Sequence, residues 1–291
     1  MSLKKKTQKE GPLEQREYHT PSSGLFFEVK KGLFTQDSPY QKIEVFENEH
    51  FGKVLLLDDL VQTTEKDEFF YHEMLVHPAF LVHPSARHLL VIGGGDGGVL
   101  KEILRYPVES VCLVEIDPLV IEVCQEYFPW LSPCLKDKRT ELVIADGKEF
   151  IQKTDRKFDI IFIDSSDPVG PSAWLHEKDF FSRLKECLCE DGIIVAQAGS
   201  PFFRMDTIRK KNDFLKPLFK IVSFYMSPVP TYPGGSWAFV FLSDRVQPLK
   251  IKGSPPGGLR YFNPDIHRAA FSLPNFFKEK LEYSDNEKAS T

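Results

Sequence analysis

No run of apolar residues in this chain reaches the roughly 18 positions that a membrane-spanning helix needs, so the sequence predicts no helical membrane span and no membrane partner. Nor does an apolar segment of signal-peptide length follow the basic run Lys4-Lys5-Lys6. About the first 15 residues therefore read as a flexible, solvated tail, and a cytoplasmic protein is expected. The five cysteines are odd in number and contain no C-x-x-C pair, which argues against a disulfide framework and a zinc site. Cys112 and Cys124 lie in apolar runs and are expected in the core. A basic excess is missing too: 37 Lys and Arg against 42 Asp and Glu leave a net charge of −5. A binder of phosphate backbones shows a concentrated basic face, so no nucleic acid partner is expected.

What is present fits a globular chain. Its 291 residues, 42% hydrophobic and 27% charged, suffice for one large domain and a smaller one. From Gly24 to Thr64 short alternating runs (Leu25–Val29, Gln41–Phe46, Lys53–Leu57) are broken by turn residues, with a hairpin connection over Asn48 to Gly52. This predicts a small N-terminal antiparallel β domain over residues 16–64. A helix is expected from about Lys66 to Phe80.

From His88 onward the texture changes. Apolar strand candidates Leu89–Ile92, Val111–Ile116, Glu141–Ala145, Asp159–Ile163, Ile193–Gln197, Val222–Met226 and Ala238–Leu242 alternate with helical patterns. Continuous apolar strands separated by amphipathic helices imply a doubly wound, mostly parallel seven-stranded sheet of the Rossmann-like, methyltransferase-like α/β class over residues 65–291. The turn-rich Ser227–Ser236 predicts an antiparallel pair at one edge. Lys252–Gly258 reads as a linker into a C-terminal tail segment.

The densest signal is Gly93-Gly94-Gly95-Asp96-Gly97-Gly98, between an apolar strand and a helix-like segment. Gly93, Gly95 and Gly98 satisfy G-x-G-x-x-G, the turn that sets a dinucleotide pyrophosphate on a helix N-terminus. Asp96 opposes that anion. Two like charges about 4 Å apart at a partly buried site repel by about 4 kcal/mol, so the loop suits a nucleoside with a cationic arm better than a phosphate.

Ligands of open α/β sheets bind outside the carboxyl ends of the strands, and here those ends are acidic: Asp96, Glu115-Ile-Asp117, Asp146-Gly147 and Asp164-Ser-Ser-Asp167. Glu115 lies close to the spacing of about 20 residues after the glycine loop at which a carboxylate accepts ribose hydroxyls. Asp117 is expected to cap the helix opened by Pro118. Asp146-Gly147 has two readings, a partner for an exocyclic adenine amine or a helix cap. Asp164 and Asp167 can bracket one end of a cation, in a loop stiffened by two prolines.

Taken together, Gly93–Gly98 with its Asp, Glu115-Ile-Asp117, Asp146-Gly147, Asp164–Pro171 and Pro230-Thr-Tyr-Pro-Gly-Gly235 resemble the spermidine synthase family of polyamine aminopropyltransferases. The resemblance runs from about Gly24 to Lys278 and includes Tyr40-Gln41, Glu65-Lys-Asp-Glu68, Tyr71-His-Glu-Met74 and Tyr261-Phe-Asn. It implies transfer of an aminopropyl group from decarboxylated S-adenosylmethionine, a co-substrate, to putrescine, giving spermidine and methylthioadenosine with no cofactor or metal. It also implies a homodimer or homotetramer. Gln41, His72, Gly93, Gly95, Asp96, Glu115, Asp146, Gly147 and Pro171 would meet the donor. Tyr71, Asp164, Asp167 and Tyr232 would hold the acceptor, with Asp164 as general base. Three alternatives remain: another amine such as agmatine, cadaverine or spermidine, a small-molecule methyltransferase, and a non-catalytic relative. Asp96 disfavours the second because it would repel the α-carboxylate of ordinary S-adenosylmethionine; the presence of Asp96, Asp164 and Asp167 disfavours the third.

Overall fold

Period-two burial organises the N-terminal part of the computed structural model, which describes residues 13–165 and 178–282. Strands β1 (Leu13–Thr20) and β2 (Ser23–Val29) form an antiparallel hairpin. Strands β3 (Lys31–Asp37), β4 (Lys42–Asn48), β5 (Gly52–Leu57) and β6 (Leu60–Thr64) form a four-stranded antiparallel sheet in that order. In β4 the sequence alternates so that Ile43 and Val45 are buried while Lys42 and Glu44 reach outward. Asp58 and Asp59, both at positive φ, close the two-residue turn between β5 and β6; short polar side chains tolerate that left-handed geometry best. Residues 13–15, expected in a tail, are the start of β1. Strands β1 and β3 escape the pattern because they bury little: in β1 the one buried residue is Glu17 and in β3 there is none; β6 escapes it because two of its three buried residues are threonines.

Helix α1 (Glu68–Val82) joins the two parts, and every residue in it except Phe70 is buried. Its interior Pro78 cannot donate to the carbonyl of Met74. The hydroxyl of Tyr225 donates there instead, at 2.8 Å. Glu73, also buried, accepts from the backbone N–H groups of Arg260, Tyr261 and Phe262 at 2.8, 2.9 and 2.8 Å. That clamp ties the C-terminal segment to α1, so residues expected as a tail are held in place and continue into helices α7 (Pro264–Ala270) and α8 (Asn275–Glu282).

The larger sheet contains β7 (His88–Gly93), β8 (Ser110–Glu115), β9 (Thr140–Ile144), β10 (Phe158–Asp164), β11 (Leu188–Gly199), β12 (Ile221–Pro228) and β13 (Ser236–Ser243). Their spatial order is β12-β13-β11-β10-β7-β8-β9. The first five in sequence run parallel, and β13 is antiparallel to both β11 and β12. This is the expected doubly wound seven-stranded sheet; the local pattern announced the antiparallel edge, but not that β13 inserts between its neighbours. Helices α2 (Gly98–Ile103), α3 (Pro118–Tyr127), α4 (Gly147–Lys153), α5 (Lys178–Glu186) and α6 (Met205–Leu215) complete the units. Apolar cores fill both faces of the sheet, as strands buried on two sides require. Among the described residues no helix is long and apolar enough to cross a membrane.

Candidate active site

The winding reverses at β7, which pairs with β8 on one side and β10 on the other, and the crevice beyond such a switch point is where ligands of open sheets bind. The parallel register sets Gly93 opposite Asp164. A Cβ on Gly93 would lie 2.0 Å from the carbonyl oxygen of Asp164, and one on Gly94 would lie 2.9 Å from its Oδ2. At Gly95 it would crowd Glu115 at 3.0 Å, and at Gly98 it would overlap the His72 ring at 2.0 Å. The glycines of the loop therefore admit three acidic or basic side chains as much as they admit a ligand. Gly93 and Gly94 also have positive φ, which a side chain would strain.

A cleft of about 1300 Å³, counting its open mouth, spreads from this loop to the N-terminal β domain. At its inner end Glu115 accepts from the N–H groups of Gly95 at 3.2 Å and Asp117 at 2.9 Å. Burial pushes its carboxyl up to about 7, against the pull of those hydrogen bonds. Asp117 caps α3 through Leu119 N–H, as expected, and its other oxygen accepts from Ser38 Oγ at 2.6 Å and Gln41 Nε2 at 3.0 Å. Gln41 is thus fixed at the cleft by a carboxylate of the large sheet. Asp146 accepts from Lys148 N–H at 2.7 Å and caps α4, the second of its two readings, while Gly147 borders the cleft.

In the middle stand Asp96, Asp164 and His72, each offering an atom within 4.8 Å of the others. His72 Nε2 lies 3.3 Å from Asp96 Oδ2, and Asp96 Oδ1 accepts from Gly98 N–H at 2.8 Å. Burial opposes an imidazolium, but Asp96 and then Glu68 outweigh it and raise His72 to about 10. Asp96 is held low by the same partner despite its burial. The repulsion of about 4 kcal/mol expected from an isolated Asp96 is therefore an overestimate, since a cation stands against that carboxylate. Asp164 accepts from the Tyr71 hydroxyl at 2.7 Å. Burial, with Asp96 as the next contributor, raises its carboxyl to about 6.

The outer wall is aromatic. Tyr232 packs against Tyr71 and Trp237 with centroids 5.5 and 4.8 Å apart, and its hydroxyl donates to Gln62 O at 2.6 Å. Asp67, at the start of α1, anchors that loop by accepting from Thr231 N–H and Oγ1. Such rings attract a cation over their faces. Of the sequence-derived candidates, Gln41, Tyr71, His72, Gly93, Gly95, Asp96, Glu115, Gly147, Asp164 and Tyr232 border one cleft. Asp167 and Pro171 lie outside the described residues.

Residues 68–251 match the model of the spermine/spermidine synthase domain, and residues 15–65 that of the spermidine synthase tetramerisation domain. A polyamine aminopropyltransferase of Caldicellulosiruptor saccharolyticus is 43% identical over 91% of this chain and 97% of its own length. The chain belongs to the spermine/spermidine synthase family. It is an enzyme, an aminopropyltransferase of polyamines. A second relative, the polyamine aminopropyltransferase of Methanocaldococcus jannaschii, is 39% identical over 91% of this chain and 94% of its own. A spermidine synthase crystallised with the transition-state analogue AdoDATO superposes with a TM-score of 0.91 at 37% identity, covering 96% of this chain and 98% of that one. The Thermotoga maritima spermidine synthase does so with a TM-score of 0.89, also at 37% identity, covering 96% and 97%.

Two further residues of this family member border the cleft without having been singled out in the sequence. Gln197, at the end of β11, donates to Ser165 O at 3.0 Å, and its Oε1 is buried without a partner among the described residues. A polar residue at the end of the apolar run Ile193–Ala196 is the available signal. Glu17 of β1 is buried and accepts from Val61 N–H at 2.9 Å. Only a fold that lays β1 across the cleft reveals it.

Proposed function

We propose that the enzyme transfers the aminopropyl group of decarboxylated S-adenosylmethionine to putrescine, with Asp164 as general base. The observation that carries this reading is Asp164 itself, a half-buried carboxyl raised to about 6, tethered by Tyr71, in a cleft that runs from the glycine loop to an aromatic wall. A diamine nitrogen resembles a lysine with a pKa near 10.4 and arrives protonated. A dry site lowers the ammonium's pKa and raises the carboxylate's, which brings the two closer. Asp164 takes the proton, the freed nitrogen lone pair attacks the propyl carbon next to the sulfonium, and the carbon–sulfur bond breaks with its electrons passing to sulfur. The positive charge passes from sulfur to nitrogen, so the product forms as a secondary ammonium and the leaving group is a neutral thioether, methylthioadenosine. Because the sulfonium already makes that carbon electrophilic, the step calls for no metal and no cofactor. General-base help is worth about 10²–10⁴-fold, and alignment adds more.

Glu115 suits the donor's ribose, and Gly147 at the cleft, beside the cap residue Asp146, suits its adenine. Asp96 and the aromatic wall suit the ammonium of the donor's arm. Glu17 gives the outer end a buried carboxylate for a second positive charge, which favours a diamine. Asp167 and Pro171 keep the acceptor and donor roles that the resemblance implies. We also infer a homodimer or homotetramer built through the N-terminal β domain, supported by the match of residues 15–65. The test is incubation with decarboxylated S-adenosylmethionine and a panel of amines, with mass-spectrometric detection. The expected result is spermidine from putrescine, with less product from agmatine, cadaverine or spermidine. Absence of any aminopropylated product would refute the reading. Light scattering on the eluting protein would report the assembly.

A further inference from the structure

A row of alternating charges leaves the cleft through α1 and α2. His72 gives Nε2 to Asp96 and Nδ1 to Glu68 Oε2, the latter at 2.6 Å. The other oxygen of Glu68 meets Lys101 Nζ at 2.7 Å, and Lys101 also lies 3.3 Å from Glu102. The Lys101 side chain is 27% exposed, so the row ends at solvent. Neither Glu68 nor Lys101 borders the cleft. Buried Glu68 would be costly without its two partners, and with them it is a rigid clamp on the Nδ1 edge of the His72 ring. Gly98 packs against the ring and leaves it no room to shift.

The clamp matters because Asp96 and Asp164 form a close pair of half-buried carboxyls, and two such groups without a compensating charge tend to share a proton. The charged and titratable groups around this centre are few. His72 faces Asp96 from the glycine loop, Glu68 from its own helix and Asp164 from β10. Asp164 faces Tyr71 from α1 and stands in the field of Asp96, while Tyr232 borders it from the loop before β13. Glu68 faces Lys101 from α2.

We propose that Glu68 is a positioning residue: gripped by Lys101, it holds the His72 imidazolium against Asp96 and thereby keeps Asp164 ionised for the incoming amine. The directions of the individual effects agree, since Glu68 favours the charged form of His72, and His72 favours the charged form of Asp164. The kinetic part of the proposal rests on the reading of Asp164 as the base; the electrostatic part does not.

The test titrates the ring nitrogens of His72 and the side-chain carboxyl of Asp164 by NMR in the substrate-free enzyme, as wild type, Glu68→Gln and Lys101→Met. In both variants His72 should lose its proton at lower pH and Asp164 should retain its proton to higher pH. The acidic limb of kcat/KM should follow, with activity at pH 6.5 relative to the alkaline plateau reduced about threefold by a first pH unit of displacement from about 6 and about eightfold by a second. Glu68→Asp should restore most of that ratio. In a His72→Gln background Glu68→Gln should cause no further displacement. Unmoved titrations in Lys101→Met, and in Glu68→Gln where it folds, would overturn the proposal. If the carboxyl moves and the kinetic limb does not, the positioning role stands and Asp164 is not the base.

Discussion

Asp164→Asn should inactivate the enzyme and stabilise it, and the two effects have one cause. The Asp164 carboxyl ordinarily titrates at 3.8 and is raised to about 6 in the folded protein. Between those values the folded state keeps a proton that the unfolded chain has lost. Stability therefore falls as pH rises through that window, and the deficit persists at higher pH. A displacement of about two pH units corresponds to about 3 kcal/mol. Asn keeps an oxygen to accept from Tyr71 and carries no charge, so that deficit should be recovered. At about 2–4 °C per kcal/mol for a chain somewhat smaller than this one, Asp164→Asn should melt about 5 °C or more above wild type at pH 7.5. Near pH 4 the advantage should largely vanish. Thermal melts of both proteins from pH 4 to 8 read this directly, and turnover should drop by at least about 10² with donor binding kept. A melting difference that stays flat across the pH range, or a variant that melts below wild type at pH 7.5, would refute the account of Asp164 as a carboxylate ionised at a cost. Unchanged turnover would remove it from the base role.

Three other perturbations follow from particular contacts. Glu17→Gln should raise KM for putrescine by about tenfold, the worth of about 1.4 kcal/mol in binding, with a smaller change in kcat and little effect on a monoamine acceptor; equal effects on both amines would exclude Glu17 from the outer ammonium. Gly98→Ala should fold but lose about 10² in activity, because a side chain there displaces the His72 ring and a 1 Å misplacement carries that penalty; wild-type kinetics would show that the ring position is slack. Tyr225→Phe leaves the Met74 carbonyl beside Pro78 without its donor and should destabilise by about 1–3 kcal/mol in denaturant unfolding with catalysis intact at low temperature; an unchanged midpoint would mean that the carbonyl finds another donor.

Strand endings were legible in the sequence because a continuous apolar run followed by a carboxylate is a local pattern. Gly93, Glu115 and Asp164 are therefore legible along the chain, and the parallel register brings them together. Asp146 was left with two readings because a cap and a ligand contact ask for the same residue at the same place. What stayed hidden is non-local. Glu17 lies on a polar strand that buries one residue, and Glu68 pairs with Lys101 across 33 positions. His72 is legible only through the family resemblance, because nothing in its neighbourhood along the chain reveals that Asp96 will face it.

The glycine loop illustrates why a fingerprint can be right about position and incomplete about cause. G-x-G-x-x-G predicts close approach of backbone to ligand, and the loop does border the cleft. Yet the atoms that a Cβ would strike at Gly93, Gly94, Gly95 and Gly98 belong to Asp164, Glu115 and His72. A loop shaped chiefly by a pyrophosphate would keep its N–H groups and its helix terminus free for an anion. Here Glu115 takes Gly95 N–H and Asp96 takes Gly98 N–H, so protein carboxylates occupy two of the donors. The missing side chains leave space for charged residues, and the charge lies on the protein rather than on a phosphate. Restoring a phosphate site would therefore require removing Asp96 and moving Glu115, whereas replacing the glycines alone would only expel His72 and Asp164 from the places where the proposed chemistry uses them.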